Sequence, residues 1–299
     1  MNVFLREDGD MLPTDVVISW RLRSDLAPVP RTLEFTVKLI DGVETKVKEG
    51  ASVWAGRENL RFLIVKTDKA QPLGQVQGTS QQQAMKVTAL LYSCAGIATA
   101  RAQAVVQENT TFGGAFRACG AYAQVDNDFV VPRFTCFRGK IPSYPLVQIL
   151  QEEGAALVLR GGRISAMRLA DMGKQVPVDN IGQIDSAAKI SSEYLQLQDV
   201  PTYYSTNDAA ALVVGPSNQT RILEYMPRTD GRRLRNASSV LVRSKTVDSN
   251  VCQHIQAGDV LQVAGESLIV ITALHAFENL EGAQESRSRL WLGRLVNAL

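Results

Sequence analysis

Residues 16–42 read VVISWRLRSDLAPVPRTLEFTVKLIDG, and their pattern sets the fold class. Val16, Ile18, Trp20 and Leu22 alternate with Val17, Ser19, Arg21 and Arg23. After a loop at Asp25–Arg31, Leu33, Phe35, Val37 and Leu39 alternate with Thr32, Glu34, Thr36 and Lys38. A side-chain period of two places one face on a core and the other in solvent, so both runs are expected as strands of a half-buried sheet. Pro28 and Pro30 remove backbone donors from the loop, and Asp41-Gly42 supplies turn chemistry after the second strand.

Working outward, further strands are expected around Val53, Leu60–Lys66 and Met85–Tyr92, with Gln71–Gln83 as a loop or an exposed edge hairpin. The middle changes character. Ala95–Gln107 is alanine-rich and expected helical. Thr111–Tyr122 is a second helix, weakened by Gly113 and Gly114 at about 1 kcal/mol each. Phe129–Phe137 reads as a strand. Ser143 is the expected N-cap of a helix with Pro145 in its first turn, an apolar stripe of Leu146, Ile149 and Leu150, and Gly154 at its end. Ala155–Arg160 and Arg163–Leu169 then form a hairpin about Gly161-Gly162. The last third returns to short strands at Ala211–Val214, Ile222–Met226, Val240–Val247, Val260–Val263 and Leu268–Leu274.

The two β regions share a pattern. Gly50-Ala-Ser-Val-Trp-Ala-Gly56 precedes Glu58-Asn59-Leu60 and the strand Phe62–Val65. Gly258-Asp-Val-Leu-Gln-Val-Ala-Gly265 precedes Glu266-Ser267-Leu268 and the strand Ile269–Ile271. In both, an upstream β run ends at an aspartate, Asp41 or Asp248. Chance recurrence of a glycine, strand, turn, strand sequence is one explanation and domain duplication the other. The expected fold is mainly β with an α+β middle. Two related small β-barrels, residues 1–92 and 176–299 (the latter with a connecting segment), flank a helix-plus-hairpin α+β domain at 93–175.

Composition narrows the functional classes. The 299 residues are 45% hydrophobic and 21% charged, enough to bury a sizeable core. Lys+Arg (32) against Asp+Glu (30) gives a net charge of +2, unlike the basic excess of a protein built to hold duplex nucleic acid. No apolar run approaches the ~20 residues that span a bilayer, and the start, MNVFLREDGD, has acids where a signal peptide needs an apolar stretch. A soluble, intracellular protein is expected, without membrane insertion of its own or sequence-specific nucleic-acid binding. Cys94, Cys119, Cys136 and Cys252 are widely spaced and expected as buried small hydrophobes. Cys252-x-His254 is open to a metal or, more plainly, to alternation on a strand. Neither His254 nor His275 follows a nucleophile elbow. Adjacent helix side chains diverge by about 100°, so Glu152 and Glu153 do not form one paired-carboxylate site, and acids at a helix C-terminus are out of place. Arg228, Arg232, Arg233 and Arg235 form a basic cluster that reads as a phosphate or acidic-partner contact, or as a solvated hairpin tip at Asp230-Gly231. No catalytic residue, cofactor or metal ligand is assigned.

Asp128–Met172, DFVVPRFTCFRGKIPSYPLVQILQEEGAALVLRGGRISAMRLADM, resembles the middle of phage contractile-tail baseplate hub proteins and the hub portion of type VI secretion spike proteins. The matching positions are Phe134, Gly139, Pro142, Ser143, Glu152, Glu153, Gly154, Gly161, Gly162 and Arg163. None is catalytic. The resemblance implies a homotrimer with two related barrels per subunit, forming a pseudo-sixfold ring that adapts a sixfold tail tube to a threefold central spike. It further implies a virion (tail baseplate) location after assembly in the host cytoplasm. The partners implied are a tail tube or tube-initiator protein, a separate spike chain and, in the lumen, the tape-measure protein. A tail-associated cell-wall-degrading enzyme and a β-rich receptor- or carbohydrate-binding module are the alternatives. Gln81 and Gln82 in the glutamine-rich stretch, with the four arginines, are the expected subunit or partner contacts. Reversing Arg232 and Arg233 to glutamate is expected to weaken assembly without unfolding the chain.

Overall fold

The computed structural model describes residues 2–7, 9–40, 42–73, 82–181, 188–189, 201–207, 209–216, 223–227, 229–250, 252–280 and 283–296. The first third holds β1 (Val3–Arg6), β2 (Gly9–Met11), β3 (Val17–Asp25), β4 (Arg31–Lys38), α1 (Val43–Lys46), β5 (Ser52–Ala55), β6 (Leu60–Leu73) and β7 (Gln82–Leu91). A 3₁₀ turn (Tyr92–Ala98) leads to β8 (Val105–Thr111), α2 (Phe112–Ala118), β9 (Val125–Asp126), β10 (Val130–Cys136), α3 (Ser143–Glu152), β11 (Ala155–Arg160), β12 (Arg163–Arg168) and α4 (Leu169–Met172). The remainder is β13 (Asp179–Ile181), β14 (Ala188–Lys189), β15 (Thr202–Thr206), β16 (Leu212–Val214), β17 (Leu223–Tyr225), α5 (Gly231–Ala237), β18 (Val240–Ser249), β19 (Val260–Val263), β20 (Glu266–Leu280) and β21 (Ala283–Val296). The fold is mainly β with an α+β middle.

A 13-stranded sheet runs through both β regions. Within it the order β3-β4-β7-β6-β5 recurs as β14-β18-β21-β20-β19, and the two arrays join where β3 pairs with β20. The likeness extends to single hydrogen bonds. Gly50 N donates to Ile64 O and Ile64 N to Ala51 O, both at 2.9 Å; Gly258 N donates to Val270 O and Val270 N to Asp259 O, both at 2.8 Å. A bulge follows at once in each copy, between Ile64 and Lys66 in β6 and between Val270 and Thr272 in β20. Among the described residues the strand path is open, with no pairing between its two ends.

Alternation holds along β4, where Leu33, Phe35 and Val37 are buried. In β3 it breaks once: a register shift between Val17 and Ser19 leaves Val17 buried and Ile18 only partly so. The first core gathers Trp20, Phe35 and Phe62, and the second Val247, Leu261 and Leu290. The middle core packs Phe112, Phe116, Phe134, Leu146 and Leu157.

Two expectations are corrected. Ala95–Gln107 is not a helix: the 3₁₀ turn ends at Ala98, and β8 pairs with β10, Phe134 opposite Gln107. The β8–β10 ladder overrides the local preference of alanine for helix, and within the turn a Cβ at Gly96 would collide with the Gly120 carbonyl. In α3 the N-cap is Pro142, with Ser143 as the first helical residue. Of the two readings of the glutamine-rich stretch, the hairpin agrees with the described residues, which are strand as far as Leu73 and again from Gln82, in register with each other; residues 74–81 lie outside the described residues.

Candidate functional site

The C-terminus of α3 faces α5 and β15. There the misplaced acids acquire a reason. Arg232 grips Glu153 with a bidentate fork, Nη1 to Oε2 and Nη2 to Oε1 at 2.8 Å each. Arg168 donates to the Glu153 carbonyl at 2.9 Å and reaches Oε2 at 3.4 Å. Arg233 Nε lies 3.7 Å from Glu153 and its Nη1 lies 3.8 Å from Glu152. The Glu153 side chain is only 7% exposed. Arg232 holds its carboxyl below the usual range, whereas burial pushes the neighbouring Glu152 up. Divergent helix directions give adjacent glutamates opposite environments.

The expected hairpin tip at Asp230-Gly231 is instead the start of α5. Asp230 caps it, accepting from Arg233 N at 2.9 Å, and Leu234 and Ala237 bury against Tyr203 and Met226. An N-cap aspartate ahead of apolar residues three apart was the available signal. Arg232 and Arg233 are thus engaged within the chain. Reversing both would set two acids against Glu153, so that substitution reports on the fold as well as on assembly. Arg235 is exposed. Arg228 and Gln81 lie outside the described residues; Gln82 opens β7 opposite Leu73.

The other motif positions build the scaffold. Phe134 is in the middle core, and Gly139 N donates to Arg101 O at 2.8 Å ahead of Pro142 and α3. Gly154 closes α3 beneath Asn236, and Gly161-Gly162 turns β11 into β12. That hairpin tip seats at the seam of both arrays. Gly161 N donates to Glu58 Oε1 at 3.2 Å, while Arg160 Nη2 reaches Gly258 O at 2.9 Å and Asp259 Oδ1 at 2.8 Å. Gly258 is required there: its φ is +90°, and a Cβ would lie 2.5 Å from Val158 Cγ1.

Ser288 Oγ and His275 Nδ1 are 2.7 Å apart, the reach of a nucleophile and its base. Both are buried, and His275 Nε2 is 3.0 Å from the Ile255 carbonyl, so the ring bridges backbone and hydroxyl in a closed interior. Burial lowers its pKa to about 4. Cys252-x-His254 lies in turns, not on a strand, with His254 3.4 Å from Asp179. Cys252 is half-buried, while burial pushes the Cys94 and Cys119 thiols up to about 12. No group of three or more metal-ligating side chains occurs among the described residues, nor any helix long and apolar enough to cross a membrane.

Sequence reading missed the exposed apolar surface. Tyr122, Tyr144 and Phe137 stand out from the middle region, and Leu212, Leu223 and Tyr225 from the small β16-β15-β17 sheet. Arg61 lies 5.5 Å from the Trp54 ring centroid and 3.7 Å from that of Tyr92, which stacks on Tyr122 at 5.8 Å.

No protein-family model and no curated protein matches the sequence. Solved structures do. A tail protein from Neisseria meningitidis aligns over 98% of this chain and 95% of its own, at 11% identity and a TM-score of 0.62. The 43 kDa tail protein of prophage MuSo2 from Shewanella oneidensis aligns over 98% of both chains, at 13% identity and 0.63. An Escherichia coli component of the type VI secretion system, described as structurally similar to the T4 tail proteins gp27 and gp5, aligns over 93% of this chain and 73% of its own, at 10% identity and 0.54. The fold is therefore one shared with phage tail proteins and with a type VI secretion component.

Proposed function

We propose that this chain is a structural hub protein of a phage tail baseplate. Three copies form a ring whose six arrays meet a sixfold tail tube on one side and a threefold spike on the other. The observation that carries this reading is the recurrence of β3-β4-β7-β6-β5 as β14-β18-β21-β20-β19 in one continuous sheet. Two alike arrays per subunit turn threefold symmetry into approximate sixfold symmetry. The full-length alignments with phage tail proteins support it.

On this reading residues 1–92 and 176–299 supply the ring, and 93–175 bridges them. The tape-measure protein passes through the lumen, and assembly in the host cytoplasm places the hub in the virion tail. No catalytic step is assigned to it. The Trp54–Arg61–Tyr92–Tyr122 stack has the aromatic and arginine composition of contact hot spots and is the first place to look for a partner. End-on projection images of the purified chain with its spike test the reading. Six lobes in threefold arrangement are expected; a particle without threefold symmetry would exclude it.

A further inference from the structure

Inside the chain the arrays join where β3, the first strand of one, lies along β20, the fourth of the other, with Asp25–Ser19 opposite Thr272–Glu278. Those β20 residues follow the bulge between Val270 and Thr272 and run on past the end of β19. The counterpart of β20 is β6. It too outruns its short neighbour: β5 pairs only with Leu60–Leu63, while β6 continues through its own bulge to Leu73. Among the described residues no strand pairs with that later edge. At the far end of the sheet β14, the counterpart of β3, pairs with β18 on one side and with no described strand on the other.

An open edge offers N–H and C=O groups to any strand that fits, and here a side chain guards it. Thr67 N donates to Glu49 Oε1 at 3.2 Å. Glu49 precedes Gly50, whose N–H bonds Ile64 on the side of β6 away from β7, so the carboxylate takes up a donor of the open edge. The matched hydrogen bonds set Gly50 against Gly258 and Ile64 against Val270, which makes Ala257 the counterpart of Glu49 and Ala273 that of Thr67. An alanine side chain has no acceptor to offer, and Ala273 lies opposite Ser24 of β3. The guard is present where the edge is open and absent where a strand fills it. We propose that β14 of a second copy lies antiparallel along β6 beyond Val65 and displaces Glu49 from Thr67, an inference that rests on the ring reading above. The β3–β20 seam within each copy is thereby repeated between copies, and three seams of each kind close six arrays.

Sedimentation velocity of the full chain over a concentration series, alone and with its spike, reads the concentration of half-assembly. Glu49→Ala, which copies the second array, should lower that concentration about tenfold. Glu49→Gln, whose amide oxygen still accepts, should stay near wild type. Thr67→Pro removes the outward donor where an edge strand tolerates proline; it should raise the concentration at least about tenfold and leave the thermal midpoint of the dilute chain little changed. A trimer that either Glu49→Ala or Thr67→Pro leaves unmoved, or that Glu49→Ala weakens, overturns the edge pairing and leaves the hub standing. A single chain in every sample overturns both.

Discussion

The two arrays share a strand order, a pair of backbone hydrogen bonds and a bulge, and differ in most other respects. The first turns from β5 to β6 through Gly56–Asn59; the second makes the same connection with Ala264-Gly265 alone. β5 is flanked by antiparallel β1, whereas β19 is flanked by parallel β13. The first core sets Trp20, Phe35 and Phe62 among its aliphatic side chains, whereas the buried residues of the second are all aliphatic. The equivalent glycines differ most: a Cβ on Gly50 would meet nothing within 4 Å, but one on Gly258 would strike Val158. Backbone order is common to both copies, while divergence gathers where the middle hairpin docks: it packs tightly on the backbone of the second at Gly258, but meets the first through the Glu58 and Leu60 side chains.

Substitution at the paired glycines should separate the copies most strongly. Gly258→Val combines a left-handed φ with overpacking and is expected to cost about 3–5 kcal/mol. Gly50→Ala meets the φ penalty alone and should cost about 1 kcal/mol. Urea unfolding compares them, and equal losses would refute the docking difference. Next is acid sensitivity in the second array. His275 is held neutral to about pH 4 in the fold, against about 6.5 when unfolded. The unfolded chain therefore binds the proton first. Stability present above pH ~6.5 should fall by up to about 3 kcal/mol as pH drops toward 4. His275→Gln should flatten that slope; an unchanged slope would place the sensitivity elsewhere.

Glu153→Gln leaves three arginines beside a neutral group. It should cost about 2 kcal/mol in denaturant unfolding, below the ~3–5 of a fully buried pair because Arg232 stays half-exposed. Glu153 has a lowered pKa in the fold, so its contribution is present above the ~4.3 of a free glutamate and lost as pH falls through the folded value. The variant should lack that loss, and acid unfolding indistinguishable from wild type would remove the clamp. The smallest effect belongs to the short turn. Ala264 has φ 51° where the first array's turn uses Gly56 and Asn59 at positive φ. Ala264→Asn should raise stability by about 0.5 kcal/mol, read as a higher thermal midpoint.

Much of this comparison is visible in the sequence. Strict alternation locates β4, and the Gly-strand-Ala-Gly pattern marks the repeated hairpin before any coordinates. Alternation misplaces Ile18 because a bulge costs one residue of phase without changing composition. Ala95–Gln107 misleads because alanine favours a helix locally, while the β8–β10 ladder decides otherwise. The arginine clamp stayed hidden because Asp230-Gly231 signals both a turn and a helix cap. Arg31 is in phase with the core face, but as a charged residue it reads as the end of the Asp25–Arg31 loop, whereas it is the first, buried residue of β4.

Light scattering on the purified chain, alone and then with its spike, tests the ring most directly. A mass of three copies, alone or once the spike is added, is the predicted result. A single chain in both samples would contradict the hub and leave the doubled array a matter of ancestry alone.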